Sequence, residues 1–124
     1  MAELKFHKEH AWISMNSDQG TIGISDYAQQ QLGEIIYVDL PGIDTEIKAG
    51  ETLCALESNK VATDVIAPVS GVVIETNGAL DDEPDRINSS PYEGGWLVKV
   101  SIKNPSELVD LMDRAAYDRY LASL

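Results

Sequence analysis

Short runs in which apolar and polar residues alternate, separated by turn residues, make up most of the chain. A period of two is typical of half-buried β-strands, and the turn residues mark where each strand ends. The pattern therefore predicts a mostly β protein. In chain order, the predicted strands are Ala11–Met15, Thr21–Ile24, Glu34–Leu40, Thr52–Ser58, Val61–Ala67, Gly71–Thr76 and Trp96–Ile102.

One short helix is predicted between the second and third strands, over Ser25–Gly33. Ser25 can cap it, and Asp26 suits the positive end of the helix dipole. Gly33 can close it.

The pattern changes after the last strand, where the tail is predicted to form one or two short helices packed against the β domain. Asn104 is predicted to be the N-cap, Pro105 fits the first turn, and Glu107 completes a capping-box spacing. The segment 81–95 before the last strand is rich in Asp and Pro and is predicted to be a loop. Apolar residues share helical faces in the tail: Leu108, Leu111 and Met112, then Tyr117, Tyr120 and Leu121.

The charge balance excludes some classes of function. The chain has 124 residues, which indicates a single domain over 1–124, and a formal net charge of -12. Such a surface repels phosphate backbones and anionic lipids, so neither nucleic acid nor membrane is an expected partner. An acidic surface suits docking to partners with basic patches. Acidity that only keeps the protein soluble is the alternative interpretation, and the charge alone does not distinguish the two.

The single cysteine and the first residues give expectations about the compartment. Cys54 excludes an internal disulfide, suits a reducing compartment, and is predicted to be a buried small residue rather than a nucleophile. Residues 1–10 are polar and contain no secretory signal, and no apolar run approaches about 18 residues. We therefore expect a bacterial cytoplasm rather than a mitochondrial matrix. Without secretion, the glycosylation pattern that starts at Asn88 has no role.

The two histidines are candidate metal ligands. His7 and His10 lie three positions apart beside Glu9, but no third ligand is evident and a strand would separate the two imidazoles, so no metal is expected. The aromatic residues Trp12, Trp96 and Tyr92 are predicted to anchor the core and a loop.

Lys60 raises the main functional question. Two strand-like arms, Thr52–Ser58 and Val61–Ala67, flank Asn59 and Lys60, so the lysine is predicted to lie at the tip of a hairpin that directs its ammonium away from the body. A modifying enzyme needs such an accessible amine. From spacing alone, an unmodified surface lysine in a turn remains the alternative.

The residues around Lys60 resemble those of swinging-arm carrier domains, in which a hairpin lysine is acylated by a cofactor. Biotin carriers place methionine on both sides of that lysine, whereas Asn59 and Val61 stand here. Glu57, Ser58 and the following "DVIAPVSG" are similar to the lipoyl attachment pattern instead. The resemblance therefore implies lipoate on Lys60.

The rest of the chain resembles the glycine cleavage system H protein family. The similar segments are "EHAW", "ISDYAQQQLGEIIYVDLP", "INSSPYEGGWLVKV" and "NPSELVDLM", which span nearly the whole chain, whereas the lipoyl domains of 2-oxo acid dehydrogenases are shorter. This chain departs from the family at Asn59, where a small apolar residue is more usual, and at Val61, where alanine is usual. Both departures bear on how readily a ligase accepts the site.

The resemblance implies a non-catalytic carrier with the lipoyl-carrier architecture, a flattened barrel or sandwich of two small antiparallel sheets with short marginal helices. The lipoyl-lysine would take the aminomethyl group from glycine decarboxylase, a pyridoxal-phosphate enzyme, to a tetrahydrofolate-dependent aminomethyltransferase. Dihydrolipoyl dehydrogenase, a flavin enzyme that uses NAD, would reoxidise it. A lipoate ligase or a lipoyl or octanoyl transferase would attach the cofactor.

Two carboxylates and two alternative functions remain open at this point. Glu57 and Asp64 flank the tip and would either hold an amine that the arm carries or be solvated strand-edge acids. The same lysine would serve a lipoyl or octanoyl relay in lipoate assembly. From a different class, an unmodified acidic interaction module would keep the fold without the chemistry.

Overall fold

The computed structural model describes residues 4–124 and is mostly β, as the sequence predicts. The strands are β1 Leu4–Phe6, β2 Ala11–Asn16, β3 Gln19–Ile24, β4 Ile35–Asp39, β5 Glu46–Ile47, β6 Thr52–Ser58, β7 Ala62–Ile66, β8 Gly71–Thr76 and β9 Val98–Ile102. The helices are α1 Asp26–Leu32, α2 Ala79–Asp82, α3 Arg86–Ser89 and α4 Arg114–Ala122, with a 3₁₀ segment at Pro105–Asp110.

The strands form two antiparallel sheets, which confirms the predicted architecture. The larger sheet has six strands in the order β1-β2-β3-β9-β8-β5, and the smaller has three in the order β4-β6-β7. In the smaller sheet, the central strand β6 pairs with both neighbours in antiparallel register.

The core lies between the two sheets. Ile22 and Val100 from the larger sheet and Leu56 from the smaller are at most 1% exposed and belong to one buried cluster. Burying a side chain of this size contributes roughly 1.5–3 kcal/mol. A second, aromatic cluster of Phe6, Trp12 and Tyr117 joins α4 to the first two strands. The two sheets are thus held as one packed unit that fixes the β6–β7 hairpin.

Helix α1 forms as its local residues predict. The Ser25 side chain accepts a hydrogen bond from the Ala28 amide at 3.2 Å, and Gly33 ends the helix with a φ of 83°. The Gly33 amide donates to the Gln29 carbonyl.

The start of the tail differs from the prediction. Asn104 makes no capping bond, and its Oδ1 instead accepts from the Ser106 hydroxyl. The Glu107 carboxylate turns to the β7–β8 connection, where it accepts from the Ser70 amide at 2.7 Å and from the Ser70 hydroxyl at 2.9 Å. The capping-box prediction is therefore wrong, because a partner distant in sequence takes the carboxylate.

The tail forms two short helices, as predicted, but only α4 is an α-helix. Residues Pro105–Asp110 form only 3₁₀ turns, and Met112 forms a β-bridge with Phe6 that requires extended backbone. The N-cap of α4 is Asp113, whose carboxylate accepts from the Ala116 amide at 2.8 Å.

The segment 81–95 is not only a loop as predicted, because it contains the second half of α2 and all of α3. Asn77, just before α2, ties the start of this region to its end, because its side-chain amide donates to the carbonyls of Gly94 and Trp96. Strand β9 accordingly begins at Val98, after Trp96, rather than at Trp96. The short strands β1 and β5 were not predicted from the sequence and gain their pairing from β2 and β8.

Candidate functional site

Lys60 lies in the tight turn between β6 and β7, as predicted. The Ser58 amide donates to the Val61 carbonyl at 2.8 Å and closes the turn. The Ser58 hydroxyl oxygen accepts from the amides of Lys60 and Val61, both at 3.1 Å. Ser58 is 8% exposed, so one buried side chain holds the backbone of the exposed lysine.

The hairpin tip is tied to the body of the protein. The Asn59 amide donates to the Glu34 carbonyl at 3.0 Å, and β4 pairs with β6 up to Ser58, opposite Ile35. The predicted two-stranded stalk is therefore part of a three-stranded sheet, with β6 at its centre and β4 on the other side. With β4 paired beside it, the tip is more restrained than the tip of an isolated two-stranded hairpin.

The Lys60 side chain lies over Gly33, so the prediction that it points away from the body is wrong. A Cβ atom at Gly33 would lie 2.9 Å from Lys60 Cε and 3.0 Å from Asn59 Oδ1. The absence of a side chain at Gly33 leaves a shallow cradle for the lysine stem. Gly33 therefore both ends α1 and makes room for the Lys60 side chain.

Asn88 holds this cradle in place. Its Oδ1 accepts from the Ile35 amide at 2.8 Å, and its Nδ2 donates to the Gly33 carbonyl at 2.8 Å and to Gln29 Oε1 at 2.9 Å. The side chain thus links α3 to the end of α1 and the start of β4. In the sequence Asn88 stands out only as the start of a glycosylation pattern, and nothing local points to this role.

The two predicted carboxylates lie on the outer face of the smaller sheet, and both are exposed. Glu57 is paired with Tyr37 on one side, while Asp64 and Asp39 lie on either side of Ala55. The sequence did not single out Tyr37 and Asp39. The outer face near Lys60 is therefore acidic, with one exposed aromatic side chain.

Asp64 also borders a cleft between α1 and β7 with a volume of about 320 Å³. Its walls are mostly apolar, with Glu9 and His10 at one side and Asp64 at another. Leu32, which lines the cleft, immediately precedes the glycine that carries the Lys60 stem. Neither Lys60 nor Glu57 is among the residues that line the cleft.

The histidines do not form a metal site with other residues. Across residues 4–124, no group of three or more potential ligands is close enough to hold a metal ion. His7 Nδ1 accepts from the Glu9 amide at 3.0 Å, and His10 Nδ1 lies 2.8 Å from the Tyr117 hydroxyl. Burial lowers the pKa of both imidazoles, against the opposing effect of the Glu9 carboxylate.

Cys54 is buried in β6 and faces the core, as predicted. Burial raises the pKa of its thiol to about 12, with smaller contributions from Asp39 and Asp64. A thiol that stays protonated is a poor nucleophile.

Comparison with known proteins identifies the family. The family model described as glycine cleavage H-protein matches residues 4–124. The H protein of Vibrio campbellii is 48% identical over 98% of this chain and 94% of its own length, and that of Phenylobacterium zucineum is 43% identical over 97% and 99%. The crystal structure of an H protein from Mycobacterium marinum superimposes with a TM-score of 0.83 at 28% identity, covering 99% of this chain and 97% of that one.

The chain belongs to the glycine cleavage H-protein family. Proteins of this family are lipoyl carriers that work with the other components of the glycine cleavage system and are not themselves catalysts. Within residues 4–124, no helix is long and apolar enough to cross a membrane.

Proposed function

We propose that Lys60 is the lipoyl attachment residue and that the chain carries the aminomethyl group between the enzymes of glycine cleavage. The observation that carries the proposal is the position of an exposed lysine at a hairpin tip whose backbone is fixed by Ser58 and by the Glu34 carbonyl. A foreign active site can reach the amine, while the backbone around it stays in place.

The residues around Lys60 fit an acylated lysine. Gly33 leaves a cradle that a Cβ atom would fill, and the lysine stem already occupies it. The mostly apolar cleft, whose lining includes Leu32, offers a place for an acyl chain to bury its methylenes. When bound to Lys60, lipoate supplies the disulfide that takes up the aminomethyl group from the decarboxylase and releases it to the aminomethyltransferase.

The acidic residues of the cleft suit an amine cargo. Asp64 and Glu9 border it, and its lining includes no lysine or arginine. A carboxylate beside an ammonium stabilises the charged amine, most strongly where apolar walls exclude water. We therefore assign the amine-holding role to Asp64 together with Glu9. Glu57 lies outside the cleft and shares the acidic outer face with Asp39 and Asp64, a face that suits docking of enzymes with basic surfaces.

The partners proposed for this carrier are the pyridoxal-phosphate glycine decarboxylase, the tetrahydrofolate-dependent aminomethyltransferase, dihydrolipoyl dehydrogenase and a lipoate ligase or lipoyl or octanoyl transferase. The restrained tip supports sequential visits to them. A tether keeps its cargo at high effective concentration near each docked enzyme. Asn59 and Val61, on either side of the lysine, are positioned to contact whichever enzyme acylates it.

Mass spectrometry tests the attachment site. Protein from lipoate-replete cells should carry one lipoyl amide on Lys60, and the Lys60→Arg variant should carry none. Lys48→Arg, at another exposed turn lysine, is the matched control and should be modified normally. An unmodified Lys60 in such cells would refute the proposal and favour the acidic interaction module.

Reconstituted glycine decarboxylation separates the carrier from a relay in lipoate assembly. Lys60→Arg should abolish turnover even when every partner is supplied in its modified form. Full turnover with that variant would refute the shuttle and leave only the relay.

A further inference from the structure

Of the asparagines in the sequence, only Asn77 is followed by glycine, and the function proposed above makes no use of this pair. An asparagine before glycine is especially prone to lose its side-chain amide, because no side chain shields the next backbone nitrogen. The reaction requires a carboxamide that can turn towards that nitrogen. Whether Asn77 reacts therefore depends on how the fold holds its side chain.

The fold holds both ends of the Asn77 carboxamide. Its Nδ2 donates to the Trp96 carbonyl at 2.8 Å and to the Gly94 carbonyl at 2.9 Å, and its Oδ1 accepts from the Ala79 amide at 3.3 Å. The backbone carbonyl of Asn77 accepts from the Leu80 amide at 3.1 Å. The residue is only 7% exposed. Its carboxamide therefore has little freedom to turn and little contact with water.

We propose that Asn77 and Gly78 form a deamidation site that is closed in the folded protein and open in the unfolded chain. In this reaction the Gly78 nitrogen bonds to Asn77 Cγ, the bond from Cγ to Nδ2 breaks, and the Gly78 amide hydrogen leaves with Nδ2 as ammonia. Water then opens the cyclic imide and gives aspartate or isoaspartate. Water is the only other reactant, so the inference does not depend on lipoyl attachment.

Three features close the site in the folded chain. The bonds to Gly94 and Trp96 hold Nδ2, which must leave, and burial keeps out the water that must enter. The bond from the Leu80 amide holds the peptide group that Asn77 shares with Gly78, which restricts how far the nitrogen can turn towards Cγ. Each hydrogen bond that must break lowers the reactive population by about fivefold, so the three side-chain bonds slow the reaction by about a hundredfold.

The product does not fit the site from which it forms. A carboxylate at position 77 has no hydrogen to donate, and its oxygen would face the Gly94 and Trp96 carbonyls where the amide nitrogen now lies 2.9 and 2.8 Å from them. Isoaspartate would also add a carbon atom to the main chain between β8 and α2. Deamidation of the unfolded chain is therefore a one-way mark that weakens the protein after it refolds.

The effect of the mark extends to α3. Gly95, between the two bonded carbonyls, packs so closely on this helix that a Cβ atom would lie 2.7 Å from the Arg86 carbonyl oxygen. Helix α3 also carries Asn88, whose Oδ1 accepts from the Ile35 amide at the start of β4. Loss of the Asn77 bonds should therefore loosen α3 and leave the Ile35 amide less protected from exchange.

Peptide mass spectrometry of the segment that contains Asn77 measures the rate of deamidation. Wild-type protein is incubated in buffer and in guanidinium chloride at the same pH and temperature, and the folded protein should react at least about a hundredfold more slowly. Equal rates in the two states overturn the proposal.

Gly78→Ala is the control for the chemistry. A Cβ atom at Gly78 would meet nothing within 4 Å, so the fold accommodates it, whereas a methyl group beside the attacking nitrogen should slow the reaction of the unfolded chain. An unfolded Gly78→Ala chain that reacts as fast as unfolded wild type shows that the Gly78 nitrogen is not the attacking group, and it overturns the proposal as well.

Asn77→Asp introduces one of the products directly. Its Ile35 amide should exchange hydrogen at least about fivefold faster than that of the wild type. Asn16→Asp adds the same charge at an exposed position at the end of β2 and should leave that exchange unchanged. A folded Asn77→Asp protein with unchanged exchange at Ile35 overturns the one-way mark, whereas failure of Asn77→Asp alone to fold supports it.

Discussion

Replacing Gly33 by alanine tests whether the cradle under Lys60 matters for modification. Gly33 has φ 83° and ψ −160°, a region that residues with a Cβ atom rarely adopt. Forcing alanine into it costs about 1–3 kcal/mol. The new Cβ would also lie 2.9 Å from Lys60 Cε, but that contact is relieved cheaply because the lysine side chain can move. We therefore expect the stability loss to come from the backbone and the functional loss to come from the displaced lysine.

Gly50→Ala separates these two effects. Gly50 has φ 84°, and a Cβ atom there would meet nothing within 4 Å. Urea unfolding should show both variants destabilised by about 1–3 kcal/mol. The rate of lipoylation of folded protein by a lipoate ligase should fall in Gly33→Ala and stay near wild type in Gly50→Ala. Equal rates in all three proteins would refute the idea that the cradle presents Lys60.

Three further predictions concern the turn, the tail and the core. Ser58→Ala removes the acceptor of the Lys60 and Val61 amides, so urea unfolding should show a free energy of unfolding lower by about 1–2 kcal/mol. Hydrogen exchange at those two amides should be faster. Unchanged exchange would contradict the role of the hydroxyl. Glu107→Gln should weaken the hydrogen bonds to Ser70 and lower the free energy of unfolding by about 1 kcal/mol. Asp110→Asn, in the same 3₁₀ segment, is the control and should leave the free energy of unfolding unchanged. Burial raises the pKa of the Cys54 thiol from 9.0 to about 12, so the unfolded chain loses this proton first. Stability should therefore fall as pH rises from 9 towards 12, and this thiol contributes up to about 1.4 kcal/mol per pH unit. Urea unfolding of Cys54→Ala should show a fall that is less steep by that amount, and equal slopes in the two proteins would contradict the reasoning.

Helix α1 and the β6–β7 hairpin could be predicted because their determinants are local. A capping serine, a closing glycine and two runs of β-prone residues around a polar dipeptide each act within a few positions. Ser25 and Gly33 take the roles that such signals give them, and Lys60 lies at the predicted turn.

The parts that could not be predicted depend on partners distant in sequence. Glu107 has the spacing of a capping box but bonds Ser70, 37 positions away. Strand β5 has two residues and exists only because β8 offers a ladder beside it. Neither contact leaves a periodic pattern in the sequence, so no local analysis can find it.

The same distinction explains why the candidate site is larger than the hairpin. A lysine in an isolated turn is accessible but has no fixed direction, and an isolated two-stranded hairpin is marginally stable in water. Here Asn88 binds the Gly33 carbonyl and the Ile35 amide, and the Glu34 carbonyl between them receives the Asn59 amide of the tip. Loss of the Asn88 side chain would therefore release Gly33 and Ile35, the two neighbours of Glu34, whose carbonyl accepts the hydrogen bond from the tip. This is a physical reason for the family resemblance to extend over "QLGEII" and "INSSPYEGG" as well as the hairpin: those segments build the base on which Lys60 is presented.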